Sequence, residues 1–313
     1  MCGFAGYAGV REYDTSVIRK MTDKIRHRGP DSQDAFVEGK VGLGFVRLSI
    51  IDLEGGSQPM FNEDKNLVLI FNGELYNFQD IRKELVEAGH VFTTHTDSEI
   101  LLHGYEEWGK EGLLGRLRGM FAFVIFDRTK KTLFGARDHF GIKPFYYYHK
   151  DGTFLFGSEI KSFLAHPDFQ KELFEEKLPD FMTFGCIPGA ETFFRNVYKL
   201  LPGHYFTYEE GKLSVSTYWE PTFDINENQT IESVADKLDG VLEDSVDKHI
   251  IADVPVCSFL SSGVDSSYVA YELKDKVDLT TFTIDFVEQK YSEAPHAKEL
   301  ADELGIRNIG RKV

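Results

Sequence analysis

The sequence predicts two folded parts of different class: an α+β part with helices packed on largely antiparallel sheets, then an α/β part with a doubly wound parallel sheet. Three observations predict this. From Phe4 to Glu159, short apolar runs alternate with turn residues. Helical patterns interrupt those runs without any strict βαβ order. From residue 231 onward, helices and strands alternate regularly, as they do in a parallel sheet. The length of 313 residues suits two domains at roughly 150 residues each. The division expected is 1–218, a linker at 219–230 whose core, Glu220 to Gln229, is polar and unpatterned, and 231–313.

In chain order, the expected strands of the first part are Gly3 to Tyr7, Gly42 to Val46, Leu67 to Phe71, Met120 to Phe126, Thr132 to Ala136, Phe145 to Tyr148 and Phe154 to Phe156. Helices are expected at Ser16 to Ile25, Phe78 to Ala88 and Ser98 to Trp108. In the second of these, Ile81, Leu85 and Val86 fall on one face. Asn77 and Asp97 are the expected N-caps of the second and third helices. In the last part a helix runs from Ile231 to about Ile250, with Ile231, Val234, Leu238, Val241, Leu242, Ser245 and Ile250 along a stripe. A buried strand at Pro255 to Leu260, a helix at Val264 to Leu273, a strand at Leu279 to Ile284 and a helix at Pro295 to Leu304 complete the pattern. Val313 arrives after two or three such strands, where a doubly wound sheet usually has about five or six, so this domain is expected to be incomplete.

Composition narrows the function. Charged residues make up 27% and hydrophobic residues 42%, the balance of an ordinary globular protein. The net charge of −16 repels phosphate backbones and anionic membrane surfaces, so neither a nucleic acid nor a membrane is expected as partner. Cys2, Cys186 and Cys257 are too few for a disulfide framework, and the last two read as buried or incidental thiols. The longest apolar run, Met120 to Phe126, is far short of the roughly 18 residues of a membrane span. The N-terminus lacks a basic leader and reaches Arg11 and Glu12 too soon for a secretory signal, which makes the cytoplasm the expected location. The histidines show no H-E-x-x-H and no Cys/His zinc spacing, so no transition-metal site is expected.

A cysteine at position two carries the first chemical signal. Removal of Met1 would leave one residue bearing both a thiol and a free α-amine, whose pKa near 7.7 to 8.0 suits it to act as the base for its own side chain. The segments behind it are His-Arg-Gly-Pro-Asp at 27–31, Arg-Leu-Ser-Ile-Ile at 47–51, Phe-Asn-Gly-Glu-Leu-Tyr-Asn at 71–77 and Thr-Asp-Ser-Glu at 96–99. Gly-Met-Phe-Ala-Phe at 119–123, Ala-Arg-Asp-His-Phe-Gly-Ile-Lys-Pro-Phe-Tyr-Tyr at 136–147 and Gly-Ser-Glu-Ile-Lys at 157–161 follow. In this order they resemble the glutaminase domain of the class II, N-terminal-nucleophile amidotransferases, most closely the glutamine-hydrolysing asparagine synthetases.

That resemblance implies an N-terminal-nucleophile hydrolase sandwich, with helices on two mainly antiparallel sheets. It makes Cys2 the nucleophile and builds the oxyanion hole from the Asn72 side-chain amide and the Gly73 backbone N–H. It places the glutamine site at Arg47, Leu48, Ser49, Ile50, Ile51, Asn72, Gly73, Glu74 and Asp97. Arg47 would take the α-carboxylate in a two-pronged hydrogen bond, and Asp97 with the Glu74 segment the α-ammonium. His27 to Asp31 would form a shaped loop beside the site, without a catalytic role.

The second signal is Ser258 to Ser267, which joins a strand to a helix and so aims backbone N–H groups at an anion. It is not a Walker A loop. It resembles the S-G-G-x-D-S loop of enzymes that cleave ATP to AMP and pyrophosphate, with Ser262 standing where that pattern has its first glycine. The resemblance gives ATP as a substrate, held by Leu260, Ser261, Ser262, Gly263, Val264, Asp265, Ser266 and Ile284, with Asp265 as the Mg²⁺ ligand. Leu260 and Ile284 are equally core strand positions.

The function implied is glutamine-dependent asparagine synthesis. Cys2 would release ammonia from glutamine, and the ammonia would amidate an adenylated aspartate to give asparagine, AMP and pyrophosphate. Met120 to Phe126 would either wall an ammonia passage or, more simply, be a core strand. A related amidotransferase with another carboxylate acceptor, a glutaminase without synthesis, and a non-catalytic relative stay open, as does a homodimer.

Overall fold

The computed structural model describes residues 2–50, 52, 55–226, 228–288, 290 and 292–313. Two compact units divide at residues 222 and 223. In the first unit, each sheet is six-stranded and antiparallel throughout. The first sheet centres on β1 (Gly3–Ala8), which lies between β3 (Val41–Arg47) and β9 (Thr153–Gly157). Outside them are β2 (Ser32–Glu38) on one side and β8 (Tyr146–Lys150) with β10 (Val197–Lys199) on the other. The second runs in the order β12 (Lys212–Thr217), β11 (His204–Glu209), β7 (Thr132–Arg137), β6 (Gly119–Asp127), β5 (Leu67–Leu75) and β4 (Met60–Phe61).

Strand periodicity builds the layers. Phe4 and Ala8 of β1, Leu43 and Phe45 of β3 and Phe154 and Phe156 of β9 turn one way, where they meet Val68 and Ile70 of β5 and Ala122, Val124 and Phe126 of β6. Ala5 and Tyr7 of β1 turn the other way, onto Val17, Ile18 and Met21 of α1 (Thr15–Asp23). The remaining face of the second sheet is covered by α3 (Glu99–Leu114), against which α2 (Phe78–Glu87) packs. Because helices cover both outer faces, residues on both faces of β5 and β6 are buried, which is why Met120 to Phe126 reads as one apolar run. That segment is a core strand.

The expected strands and helices of this part form within a few residues of their expected ends, with differences of physical interest. Phe145 precedes β8 and fills the inter-sheet core. The third helix extends to Leu114 through a break at Gly109, where φ is +66°. Asn77 is the N-cap residue of α2 as expected, though not through its side chain, whereas the N-cap of α3 is Ser98 and not Asp97. Asn77 precedes α2, but its amide accepts from Arg118 N–H and donates to the Arg116 carbonyl. Ser98 precedes α3, and the Asp97 carboxylate turns back to accept from Leu75 N–H at 2.9 Å.

In the second unit, β13 (Cys257–Phe259), β14 (Thr280–Asp285) and β15 (Arg307–Lys312) form a parallel sheet. The chain crosses between them through α6 (Val264–Leu273) and α7 (Ala294–Leu304), the expected βαβ order. Its core holds Val246, Leu260, Ala270, Leu273, Leu279, Ala297 and Ala301. The strand expected to be buried is shorter and lies at the sheet edge, with Phe259 77% exposed. Most of the expected stripe on α5 (Ile231–His249) is likewise exposed, because this small core covers only its last turns at Val246 and Ile250. Cys186 and Cys257, expected to be buried or incidental, are exposed. Among the described residues, no helix is long and apolar enough to cross a membrane.

The packing of β1 yields a test. A Cβ on Gly6 would lie 2.2 Å from the Phe156 ring across the ladder, so only glycine fits there. Gly6→Ala is expected to cost about 1–3 kcal/mol of stability, read as a lowered denaturation midpoint. An unchanged midpoint would mean that this layer repacks freely.

Candidate active site

A cavity of about 320 Å³ opens at one end of the sandwich. Its lining comes from both sheets. Cys2 leads into β1, and Arg47 and Leu48 lie at and just beyond the end of β3. Asn72, Gly73 and Glu74 are on β5, and Asp97 and Ser98 precede α3. The expected site residues Cys2, Arg47, Leu48, Ile50, Asn72, Gly73, Glu74 and Asp97 therefore share one cavity. Ser49 is not in that lining; its backbone N–H donates to the Asp31 carboxylate at 2.8 Å. Ile51 lies outside the described residues.

The thiol is held at two points. Leu48 N–H and Leu48 C=O each lie 3.3 Å from Cys2 Sγ, and the Cys2 carbonyl accepts from Arg28 Nε at 2.9 Å. The loop at 27–31 thus positions the site, since Arg28 ties down Cys2 and Asp31 ties down the segment that follows β3. Burial pushes the Cys2 thiol up from its ordinary pKa, while the Leu48 hydrogen bond and the nearby positive charges, Arg47 and Lys143 among them, pull it down.

Asn72 and Gly73 do not form the hairpin turn their pairing suggests; they continue β5, opposite Ala122 and Phe121 of β6. Asn72 is 1% exposed, and among the described residues its Nδ2 has no hydrogen-bond partner. A buried amide donor without an acceptor costs about 1–3 kcal/mol, so its persistence beside a thiol marks a place for a ligand oxygen. A Cβ on Gly73 would sit 2.4 Å from the Met120 carbonyl, which excludes any larger residue there.

The charges come in two signs. Arg47 is buried and donates through Nη2 to the Asp52 carbonyl at 2.6 Å. Lys143 is buried too, and burial pushes its pKa down while Glu74 pulls it up. Against them stand Glu74, raised by burial, and Asp97, pushed up from 3.8 to about 7 first by burial and then by the neighbouring Glu74. The cavity can therefore receive a carboxylate and an ammonium at once, with an oxygen acceptor at Asn72 and a carbon within reach of sulfur.

Lys143 carried no expected role, although it lies in the quoted 136–147 segment. Between β7 and β8 that segment is a fixed loop. Asp138 accepts from the N–H groups of Phe121, Phe140, Ile142 and Lys143, and Arg137 donates to the carbonyls of Gly141, Lys143 and Leu200.

In the second unit, Ser261 Oγ accepts from Gly263 N–H at 3.1 Å and lies 2.8 Å from Ser266 Oγ, just ahead of α6. Ser262, Gly263, Val264 and Asp265 are exposed. Leu260, Ser261, Ser266 and Ile284 line a further cavity; Leu260 is at the same time part of the core, whereas Ile284 is half exposed. The donor set of hydroxyls and helix-start N–H groups suits an anion, and the Asp265 carboxylate suits a magnesium ion shared with phosphate oxygens.

Residues 1–219 match the family described as a glutamine amidotransferase domain, and residues 237–313 the family described as asparagine synthase. All of this chain aligns at 40% identity with half of asparagine synthetase [glutamine-hydrolyzing] 1 of Bacillus subtilis strain 168. Number 3 of that organism is 37% identical over 94% of this chain and 50% of its own. A protein of Penicillium rubens named amidase chyE is 32% identical over 98% of this chain and 50% of its own. The chain spans about half the length of the curated relatives it matches. Among solved structures, the glutamine phosphoribosylpyrophosphate amidotransferase of B. subtilis superimposes at a TM-score of 0.51 and 17% identity. The match covers 98% of this chain and 65% of the other, and the likeness is one of fold.

Two tests follow from the charges. Lys143→Met should move the pH profile of Cys2 alkylation upward, followed by peptide mass spectrometry so that Cys186 and Cys257 are counted apart; an unmoved profile would separate Lys143 from the thiol. Asp97 ionises near 7 in the folded chain but near 3.8 when unfolded, so its charge costs stability increasingly from about pH 4 to 7 and fully above. Asp97→Asn should therefore melt a few degrees higher at pH 8, the shift that about 1–2 kcal/mol gives in a unit of this size, with the gap closing toward pH 4. A gap independent of pH would refute the assigned burial cost.

Proposed function

The chain belongs to the glutamine amidotransferase family, in the branch of the glutamine-hydrolysing asparagine synthetases, and on that premise we propose that its first unit hydrolyses glutamine through Cys2. The observation that carries this reading is the buried Asn72 Nδ2, unpartnered among the described residues, in the same cavity as the Cys2 sulfur.

The steps follow from the groups in place. Arg47 takes the α-carboxylate of glutamine, and Asp97 with Glu74 takes the α-ammonium, which favours the ionised carboxylate that burial alone opposes. Leu48 and Ile50 give the cavity apolar wall, and Ser49, held by Asp31, keeps that wall in position. Once Met1 is removed, the α-amine of Cys2 accepts the thiol proton and the sulfur adds to the side-chain carbonyl carbon. The oxygen then carries the negative charge, which the Asn72 amide and the Gly73 N–H stabilise. Collapse returns that proton to the leaving nitrogen, so ammonia departs and a thioester remains. Water, deprotonated by the same amine, releases glutamate and restores the thiol.

For the second unit the proposal is the ATP-dependent half of amide synthesis, with aspartate as acceptor and ATP as a substrate. Ser261, Ser262, Gly263, Val264 and Ser266 would hold the pyrophosphate group, Leu260 and Ile284 the adenine, and Asp265 a Mg²⁺ ion. The ion would offset phosphate charge; the chain's own part is to supply the carboxylate and the helix-start donors. The serine at 262 adds a hydroxyl where the related loops carry glycine.

Glutamate release by the full chain tests the first half. Cys2→Ala should abolish it, and Asn72→Ala should lower kcat about 10²–10³-fold with a smaller change in KM, since the amide acts on charge that develops after binding. Equal rates for Cys2→Ala and the parent chain would sink the assignment. Glutamine-dependent pyrophosphate formation with aspartate tests the second half separately.

A further inference from the structure

On the outer side of the second sheet, away from the cavity, four side chains from separate stretches of sequence converge: Glu63 in the turn after β4, His90 after α2, and His103 and Glu106 on α3. We propose that they form a binding site for one divalent transition-metal ion of the zinc class. One donor atom from each lies within 4.8 Å of all the others. His103 Nδ1 is 3.3 Å from Glu106 Oε2 and 3.8 Å from Glu63 Oε2, and His90 Nδ1 is 4.0 Å from Glu106 Oε2. Donors around a tetrahedral zinc at roughly 2.0–2.1 Å from the ion stand about 3.4 Å apart, so the cluster is close to the required size.

The surroundings have the form of a built site. His103 is 1% exposed, yet among the described residues neither of its ring nitrogens makes a hydrogen bond, so a deeply buried imidazole points at the cluster without an aligned partner. Each imidazole has a carboxylate behind its far nitrogen: Glu99 Oε1 at 3.6 Å from His103 Nε2, and Glu107 Oε2 at 3.2 Å from His90 Nε2. The shorter of the two contacts, at His90, is a hydrogen bond that turns His90 Nδ1 toward the cluster. Glu99 is itself locked by Thr93 and Thr94, which each donate to it from backbone N–H and hydroxyl at 2.7–2.9 Å. The second oxygen of Glu106 accepts from Asn62 Nδ2 at 2.7 Å. Two imidazole nitrogens with two carboxylate oxygens suit zinc and its first-row neighbours better than calcium, magnesium or copper(I). Exposed Glu63 gives the ion a way in from solvent. Bound metal would clamp α3 to the β4–β5 turn and to the segment after α2.

The test uses the full chain with Cys2→Ala, Cys186→Ser and Cys257→Ser, which removes every thiol ligand. After chelation, dialysis against Zn²⁺ at pH 7.5 should leave one equivalent per chain. The melting temperature should rise by roughly 5–10 °C at a hundredfold excess over Kd. Adding His90→Gln and Glu63→Gln should abolish the retained zinc and the shift while leaving the metal-free melting temperature near that of the parent. No retained zinc, zinc retained equally by that variant, or a preference for Mg²⁺ or Ca²⁺ would overturn the proposal.

Discussion

The spacing between the two sheets is the constraint on which the first unit depends. Sheets packed face to face lie about 10 Å apart, a distance set by interdigitating side chains. Here those include Phe4, Phe45, Phe126, Phe154 and Phe156. Cys2 extends from the centre of one sheet, and Asn72 and Gly73 belong to the other. The distance between the Cys2 thiol and the Asn72 and Gly73 donors is therefore inherited from the core. A repacked aromatic residue would alter that distance even though it touches no ligand.

Charge is arranged on the same scaffold. Arg47 and Lys143 stand against Glu74 and Asp97 inside a small buried cavity, a mirror image of an amino acid's own two charges. Burial weakens the ionised form of each group for which it shifts the pKa: it raises both carboxylates and lowers the lysine. Desolvation thus destabilises the empty cavity, and a zwitterion that restored both charge pairs would relieve that cost.

Much of this was legible in the sequence because period-two strands and period-3.6 helices leave a direct trace. That Cys2, Arg47, Asn72 and Asp97 lie around one cavity was legible through the short segments that carry them. What escaped depended on contacts remote in sequence. Asp97 reads as a helix cap by local rules, yet its carboxylate bonds Leu75 N–H, and Asn77 likewise bridges two backbone groups across the fold. β2, from Ser32 to Glu38, is an edge strand of intermediate exposure and shows no clean apolar alternation. Phe259 reads as buried in a parallel strand but lies at a sheet edge. The cluster around His103 draws on residues 63, 90, 103 and 106, a spacing that matches no linear metal motif.

The loop that presents Lys143 is wired in large part to itself, with further ties to Phe121, Leu200, Gly203 and Tyr218. The Asp138 carboxylate gathers four amides, and the Arg137 guanidinium gathers three carbonyls. Such a segment behaves as a cassette. A graft that carried the lysine without its aspartate and arginine would deliver the charge on a floppy tether, whereas moving residues 137–143 as a block would transplant the shape along with the cation.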